Sequence, residues 1–438
     1  MARSVSARLA QRLEPRGIHY GWVVAAVSFL TLVTAAGFRS TIGVLIVPLQ
    51  DEFGWSRATI SAAVAINLIL YGLGGPFAAG FYNRFGIRRV IALALGTIAV
   101  SSLLMTQVRA PWQLDLLLGA ANGLATGAVG VTLAAVIANR WFVERRGIVV
   151  GMLTASNASG QLVFLPLLGW IVASQGWRSA MLTVSMVSLA VTLPLVLLLL
   201  RDSPADIGLR PLGAVVDDPP IQRKNPFSAV LGGFANASRS RTFWLLSSSF
   251  FICGATTNGL IGTHLIPASI DHGMSGVTAA SLLAVIGVFD LVGTLGSGWL
   301  TDRYDPRWLL FWYYGLRGLS LLALPFVIGS SNLGLITFVV FYGLDWVATV
   351  PPTVAITAKV FGRERVGIVF GWVFAAHQLG AAFAAFGAGA VRTWFGDYQG
   401  AFVTGGLLSL IAAGLVIRIV NKQPRQSPIG TVPLDVGS

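Results

Sequence analysis

The chain has 438 residues, of which 55% are hydrophobic and only 11% charged, and its mean hydropathy is +0.75. The single cysteine, Cys253, excludes an internal disulfide and a metal cluster built from thiolates. The formal net charge is +13, which by itself would suit a nucleic-acid partner. The positions of the basic residues therefore have to decide what the charge means.

Long apolar runs between short polar segments predict twelve transmembrane helices. Each run has about 20 to 28 residues, enough to cross the hydrocarbon core of a bilayer as a helix. An outer-membrane barrel would instead show strands of about 10 residues with alternating polarity. The predicted fold is an all-α membrane protein with helices at 20–48, 57–82, 88–107, 111–139, 146–173, 179–200, 242–269, 276–300, 307–328, 332–359, 366–390 and 398–419.

The basic residues are distributed unevenly around these predicted helices. All but six of the 30 Lys and Arg fall on the side that holds both chain ends. The exceptions are Arg57, Arg109, Arg178 and Arg392 on the other side, and Arg39 and Arg317 inside the membrane. This positive-inside pattern predicts cytoplasmic termini and contact with anionic lipid, with no nucleic-acid partner. The first apolar run is too long for a signal-peptide core, so we expect it to remain as helix 1.

The second half of the sequence repeats features of the first. The segment Gly147-Ile148-Val149-Val150-Gly151 opens predicted helix 5, and Gly367-Ile368-Val369-Phe370-Gly371 opens helix 11 at an offset of 220. At an offset of 219, Pro48, Gly54, Ser56 and Thr59 reappear as Pro267, Gly273, Ser275 and Thr278. These repeats predict two pseudo-symmetric six-helix bundles.

The predicted organisation has five parts. They are a cytoplasmic tail at 1–19, a first bundle at 20–200, a cytoplasmic linker at 201–241, a second bundle at 242–420 and a cytoplasmic tail at 421–438. The linker is rich in proline, and we expect a short surface helix after Pro226.

Two loops carry a resemblance to a known family. Gly298-Trp299-Leu300-Thr301-Asp302-Arg303-Tyr304 fits the G-x-x-x-D-R-[FY] loop between helices 8 and 9 of the major facilitator superfamily. The matching first-half loop at 80–89 keeps Arg84 but has Asn83 at the usual Asp position. The resemblance covers essentially the whole chain. It implies a transporter fold in which Arg84, Asp302 and Arg303 help to hold the two halves together on the cytoplasmic side.

A narrower resemblance is to the monocarboxylate porters within that superfamily. Tyr20-Gly21-Trp22 looks like the end of their helix 1 signature, and the segment from Trp141 to Gly151 is similar to their helix 5 signature. By this resemblance, Arg39 takes the place of a substrate-linked Lys in helix 1, and Asp290 falls on the helix 8 Asp. Thr294 departs from the family, which has an Arg one turn after that Asp.

Ionisable groups inside the membrane cost several kcal/mol, so they usually serve a function or a partner. Six residues qualify: Arg39, His264, Asp290, Arg317, Asp345 and His377. We expect Asp290, Asp345, Arg317 and His264 to take part in proton coupling, with Asp290 as the proton carrier. The alternative for Arg317 is a structural ion pair with Asp290 or Asp345, because a buried guanidinium without a carboxylate is very costly.

Arg39 and several polar side chains are the candidates for solute binding. A guanidinium facing a central cavity would hold a carboxylate through two parallel hydrogen bonds, whereas the alternative is snorkelling to the outer interface. His377, Asn122, Asn258 and Tyr71 are the other predicted substrate ligands, with Asn67 and Asn157 as further polar positions. Hydrogen bonding between helices, or packing in the case of the histidines, is the alternative role. Gly119, Gly123 and Gly127 predict close helix contacts in helix 4, and Pro351-Pro352 predicts a break in helix 10.

An enzyme does not fit the sequence. There is no P-loop motif, no H-E-x-x-H helix, and there are too few acids or histidines in the loops to build a catalytic site, so no cofactor is expected. Our hypothesis is a monomeric secondary transporter of a bacterial inner membrane, which moves a small organic anion, a monocarboxylate, together with a proton. The alternatives are a proton-driven exporter of an amphiphilic compound and a non-transporting membrane sensor.

Overall fold

The computed structural model describes residues 5–214, 226–329, 332–362 and 365–419. Within them, twelve helices are long and apolar enough to cross a membrane, which confirms the predicted all-α membrane fold. They are α1 (Gly21–Phe53), α2 (Arg57–Phe85), α3 (Ile87–Met105), α4 (Pro111–Trp141), α5 (Arg146–Gln175), α6 (Trp177–Leu199), α7 (Arg241–Asp271), α8 (Gly276–Thr301), α9 (Pro306–Val327), α10 (Leu333–Phe361), α11 (Val366–Phe395) and α12 (Gln399–Ile417).

An even number of crossings places both ends of the described chain on one side of the bundle. We call this the terminal side and the opposite face the distal side. A short helix, Val5–Leu13, precedes α1 on the terminal side. Large apolar side chains such as Leu93, Leu295 and Phe326 are exposed, as expected where lipid replaces water as the solvent.

Two helices extend five residues beyond their predicted ends. α1 continues through Pro48 to Phe53, since a single proline removes one hydrogen bond and need not end a long membrane helix. α11 reaches Phe395 and carries Arg392 in its last turn. The apolar run ends before that residue, but the helix does not, because the guanidinium pairs with a carboxylate of a neighbouring helix.

The predicted break in α10 is present. Its first segment ends at Asp345 and its second begins at Val350, with Pro351 and Pro352 in the first turn. Proline fits the first turn of a helix but cannot donate to the carbonyl four residues earlier, so the backbone before it is released from the helical pattern. α4 is interrupted at Val129 and Gly130, the pseudo-symmetric position 220 residues earlier.

Among the described residues, three helices contain π-helical turns, which are often found at functional sites. They cover Asp115–Ala121 in α4, Val187–Thr192 in α6 and Ala255–Ile261 in α7. Two of the predicted substrate ligands, Asn122 and Asn258, lie at or inside these turns.

The two halves meet along three helix pairs. α2 and α11 are in contact from the distal side, where Ala58 N donates to Thr393 Oγ1 at 3.2 Å, to the terminal side, where Phe77 and Trp372 meet edge to face. α5 meets α8 at Gly169, and α1 meets α7 at Gly43. A solute that crosses the protein between its halves must pass among these helices.

The linker is attached to both halves. Leu212 accepts hydrogen bonds from Val143 N and Glu144 N, just after α4. The expected helix is Pro226–Ala237, which we call the linker helix. Its aromatic side chains, Phe227 and Phe234, pack against α2 and α11 and so bridge the halves on the terminal side. Residues 215–225 of the predicted linker and the predicted tail at 421–438 lie outside the described residues.

Candidate translocation site

A buried ion pair joins α9 to the break in α10. Arg317 Nε lies 2.6 Å from Asp345 Oδ2, and Arg317 Nη2 donates to the carbonyl of Asp345 at 2.6 Å. Arg317 Nη1 lies 2.9 Å from Cys253 Sγ on α7. The guanidinium is fully buried, and the break supplies the carbonyl that a continuous helix would have used internally. This arrangement matches the structural ion pair considered above for Arg317.

Asp290 lies beside this pair and depends on the same break. Its Oδ1 accepts hydrogen bonds from Thr294 Oγ1 at 2.9 Å and from Val347 N at 3.0 Å. Gly293 allows the approach, because a Cβ there would lie 1.8 Å from the carbonyl oxygen of Leu344. Thr294, which departs from the porter pattern, thus supplies a hydroxyl to the carboxyl group.

We call Asp290, Arg317 and Asp345 the midplane cluster. The three groups are close enough to interact electrostatically, and two carboxyl groups face one guanidinium. Asp345 Oδ1 is buried without a hydrogen-bond partner among the described residues. All three residues belong to the second half.

Arg39 in α1 lies beside a tyrosine of α2 that contacts the other half of the protein. Its guanidinium carbon lies 5.0 Å from the ring centroid of Tyr71 in α2. The Tyr71 ring in turn meets Phe374 of α11 edge to face at 6.0 Å. Arg39 and Tyr71 therefore lie at the interface between the halves, where a passing solute would meet them.

His377 continues this line of rings into the second half. Its imidazole stacks on Phe374 at 5.6 Å and contacts Phe250 of α7 at 4.8 Å. Nε2 lies 3.5 Å from Thr257 Oγ1, while Nδ1 is buried without a hydrogen-bond partner among the described residues. The structure thus connects three of the predicted substrate ligands, Arg39, Tyr71 and His377, through one aromatic side chain.

The predicted asparagines differ in their surroundings. Asn122 Nδ2 donates to Leu117 O at 2.9 Å within the π-helical turn of α4, and Asn67 Nδ2 donates to Leu118 O at 2.7 Å between α2 and α4. These bonds fit the structural alternative for both residues. Asn258 in the π-helical turn of α7 is half-buried, and the side chain of Asn157 lies outside the described residues. The predicted glycine contacts of α4 are present, since Gly123 and Gly127 lie against the backbone of α2.

His264 lies in a different part of the molecule from the midplane cluster. Its Nε2 is 2.7 Å from Ala385 O and its Nδ1 is 3.2 Å from Tyr398 Oη. Tyr398 also accepts a hydrogen bond from Arg57 Nη1 at 3.0 Å. Burial raises the pKa of Tyr398 to about 12, so its hydroxyl stays protonated at neutral pH. The imidazole thereby joins a polar network on the distal side.

Sequence reasoning missed the centre of that network. Arg57 of α2 makes two hydrogen bonds of 2.6 Å to the carboxylate of Asp271 at the end of α7, and Arg392 Nε lies 2.8 Å from the same carboxylate. Arg57 Nε also donates to Gln50 of α1 at 2.8 Å, and its side chain is only 5% exposed. We call Gln50, Arg57, His264, Asp271, Arg392 and Tyr398 the distal network.

The distal network links the two halves, because Gln50 and Arg57 come from the first and the other residues from the second. The only sequence signal for it is the presence of two rare distal arginines near helix ends. Nothing in the sequence pairs Arg57 with a residue that is 214 positions away.

The two signature loops make contacts within their own halves. Arg140 Nη2 donates to Asn83 Oδ1 at 2.5 Å, so an amide oxygen takes the place of the usual carboxylate. Arg84 lies over the ring of Phe85, and Arg303 lies over the ring of Trp299 at 4.1 Å. Asp302 ends α8 and is exposed. On this side the halves are bridged by the linker helix and by the direct contact of Phe77 with Trp372.

Comparisons with known proteins agree with this architecture. The sequence matches the model of the Major Facilitator Superfamily over residues 27–354 and 265–432. It is 27% identical over 374 residues to the uncharacterized MFS-type transporter YcxA of Bacillus subtilis (strain 168), covering 84% of this chain and 87% of that protein. It is 26% identical over 421 residues to monocarboxylate transporter 13 of Rattus norvegicus, covering 94% of this chain and 91% of that protein.

A solved structure shows the same fold. The crystal structure of a D-xylose-proton symporter superposes with a TM-score of 0.73 at 16% identity, covering 92% of this chain and 100% of that chain. The family model, together with relatives that are named as transporters, shows a transporter that resembles the monocarboxylate family and not an enzyme. The chain belongs to the major facilitator superfamily.

Proposed function

We propose that the protein transports a small organic anion, a monocarboxylate, together with a proton by alternating access. The observation that carries this proposal is the position of Arg39, whose guanidinium lies at the interface between the halves and faces a line of aromatic rings. The relationship to a protein named monocarboxylate transporter 13 supports the same solute class.

Arg39 binds the carboxylate of the solute in this proposal. A guanidinium is always charged, and it holds a carboxylate through two parallel hydrogen bonds. Tyr71 and Phe374 would flank the carbon skeleton, because the edges and faces of their rings offer apolar contact area on both sides of the interface. Such a site suits a compact anion with an apolar portion.

The midplane cluster carries the proton. Two carboxyl groups near one guanidinium retain one excess negative charge when both are ionised, and a single proton removes that charge. Because the groups interact, both carboxyl groups influence how tightly this proton is bound. Asp290 is the carrier, since Arg317 already holds Asp345.

Coupling follows from the break in α10. Asp290 accepts a hydrogen bond from Val347 N in the break, and this bond stabilises the ionised form of the carboxyl group. A movement of α10 against α8 would remove this bond and with it the stabilisation of the ionised form. Rocking of the halves and proton uptake would then drive each other.

We further propose that the terminal side is cytoplasmic, that the protein lies in a bacterial inner membrane and that it works as a monomer. The distribution of Lys and Arg supports the orientation. Closure of the distal side by the Arg57–Asp271 pair would then make this an outward-closed arrangement.

Proteoliposomes test the proposal directly. With an acidic exterior, labelled monocarboxylate should accumulate inside, and accumulation should disappear when a protonophore collapses the gradient. Arg39→Gln should weaken solute binding about 10- to 100-fold, which corresponds to roughly 1.5–3 kcal/mol for a hydrogen bond to a charged group. Arg109→Gln, at an exposed distal arginine, is the matched control and should change nothing.

The outcomes separate the alternatives. Uptake that is indifferent to the pH gradient would reject proton coupling, and unchanged affinity in Arg39→Gln would move the anion site elsewhere. If no acid tested is transported but inverted vesicles move an amphiphilic dye, the protein is an exporter of amphiphilic compounds and not an anion symporter.

A further inference from the structure

A buried amide side chain of α11 also lies at the interface between the halves. Gln378 of α11 is 1% exposed, yet neither Oε1 nor Nε2 makes a hydrogen bond among the described residues. Each buried amide atom that lacks a partner costs on the order of 1–3 kcal/mol, so an amide with neither atom bonded is a substantial penalty. Native proteins keep such groups rarely and for a reason.

The position of Gln378 places it at the proposed solute site. It is the next residue after His377, whose Nδ1 is also buried without a hydrogen-bond partner among the described residues. Its Cβ and Cγ lie against Gly72 of α2, the residue that follows Tyr71. Counted along α11, it lies about 18 Å from the start of the helix at Val366, close to the middle of the membrane.

The first half provides room for this side chain. A Cβ at position 72 would lie 2.4 Å from Gln378 Cβ, so only glycine fits there without displacing the glutamine. The pseudo-symmetric position of Gln378 in the first half is Ala158, 220 residues earlier. The fold by itself therefore does not require an amide at this point of the repeat.

We infer that Gln378 is a specificity-determining residue, whose amide hydrogen-bonds a second polar group of the transported anion, such as a hydroxyl or carbonyl. This inference rests on the proposed function, because Arg39 takes the carboxylate and leaves the rest of the solute for Gln378 to recognise. An amide donates through Nε2 and accepts through Oε1, so it satisfies either kind of oxygen.

A site of this kind discriminates strongly against solutes that lack the second polar group. When such a solute binds, the buried amide stays unpaired and its desolvation is not compensated. We therefore expect the protein to prefer 2-hydroxypropionate to propionate and 3-hydroxybenzoate to benzoate. In each pair the carboxylate is the same, so Arg39 cannot produce the difference.

The test is binding of these two acid pairs to purified protein in lipid nanodiscs, measured by calorimetry for the native chain and for Gln378→Leu. The variant should lose at least about 10-fold of the preference for the hydroxylated acid, while its affinity for propionate or benzoate should stay within about 2-fold. The melting temperature of the ligand-free variant should be equal or higher, because an unsatisfied amide has been removed.

Two further variants separate recognition from folding. Gly72→Ala should reduce the same preference, because it displaces the stem of Gln378, whereas Gly75→Ala should not, since a Cβ there meets nothing within 4 Å. Gln175→Leu, at an exposed glutamine at the end of α5, is the control for the substitution itself.

Each result has one meaning. Acid binding with the same preference in Gln378→Leu overturns the role of Gln378 and leaves the proposed transport intact. If the preference is unchanged and the melting temperature of Gln378→Leu is lower, the amide stabilises the fold and does not recognise the solute. Xylitol, a polyol with hydroxyl groups but no carboxylate, is tested alongside the acids. If no acid binds but xylitol does, and Gln378→Leu weakens xylitol binding, the anion proposal fails and Gln378 remains a solute ligand. If neither the acids nor xylitol bind, both proposals fail.

Discussion

The midplane cluster and the distal network both pair Asp with Arg, but in opposite proportions. The midplane cluster has two carboxyl groups and one guanidinium, all within the second half. The distal network has two guanidinium groups around one carboxylate, and it crosses between the halves. Separation of the halves on the distal side would break none of the contacts described above within the midplane cluster. A network between the halves must break when the distal side opens.

The largest expected effect comes from removing the carboxylate of the midplane ion pair. Asp345→Asn removes the carboxylate that contacts the fully buried guanidinium of Arg317 and leaves only Asp290 to balance its charge, which should cost up to about 3–5 kcal/mol of stability. The measurement is the melting temperature and the yield of folded protein. Replacing both residues, Arg317 by Met and Asp345 by Leu, should recover most of the lost stability. A melting temperature of Asp345→Asn equal to that of the native chain would contradict the ion pair.

The next effect concerns function and not stability. Asp290→Asn should abolish gradient-driven uptake in proteoliposomes but retain counterflow of solute, because an amide keeps the hydrogen bonds and cannot carry the proton. Asp51→Asn, at an exposed carboxylate near the distal end of α1, is the matched control. If Asp290→Asn retains gradient-driven uptake, another residue must carry the proton.

A smaller, conformational effect is expected at the distal network. Asp271→Asn removes the charge that holds Arg57 and Arg392 together, and should favour opening of the distal side by about 10-fold, or roughly 1.4 kcal/mol. Spin labels at the exposed positions Gln107 and His272, one in each half, should report a longer distance.

Glu52→Gln is the control for that experiment. It breaks a distal ion pair of similar geometry, with Arg178 at 2.6 Å, but both partners lie in the first half. The label distance should therefore stay the same. Equal effects of the two substitutions would mean that crossing between the halves has no special consequence.

The smallest effect is expected for an ion pair between neighbours on one helix. A hydrogen bond from Arg307 at the start of α9 lowers the pKa of Asp305, so the carboxylate contributes stability at neutral pH that is lost as the pH falls through its folded pKa. Asp305→Asn should cost about 0.5 kcal/mol at pH 7 and less than that at pH 3. Melting temperatures of the native chain and the variant at the two pH values test this. A larger loss of stability at low pH than at pH 7 would contradict the expected pH dependence.

Much of the fold was predictable because it depends on short-range chemistry. Apolar runs long enough to cross a bilayer must form helices, since an unsatisfied backbone group is too costly in lipid. The repeat at an offset of 220 predicted two matching halves, and Pro351-Pro352 predicted the break in α10 from the missing backbone donors. The cost of burying charge singled out Arg39, Asp290, Arg317 and Asp345 in the same way.

The sequence alone thus determined the helices, their number, and which charged residues had to find partners inside the membrane. Only the tertiary structure decided which partners those were. The carbonyl and N–H groups freed at the break bind Arg317 and Asp290, and Arg57 pairs with Asp271 from the other half. The physical reason is that a hydrogen bond or an ion pair depends on distances of about 3 Å, and such distances between remote segments are set by the packing of helices on one another.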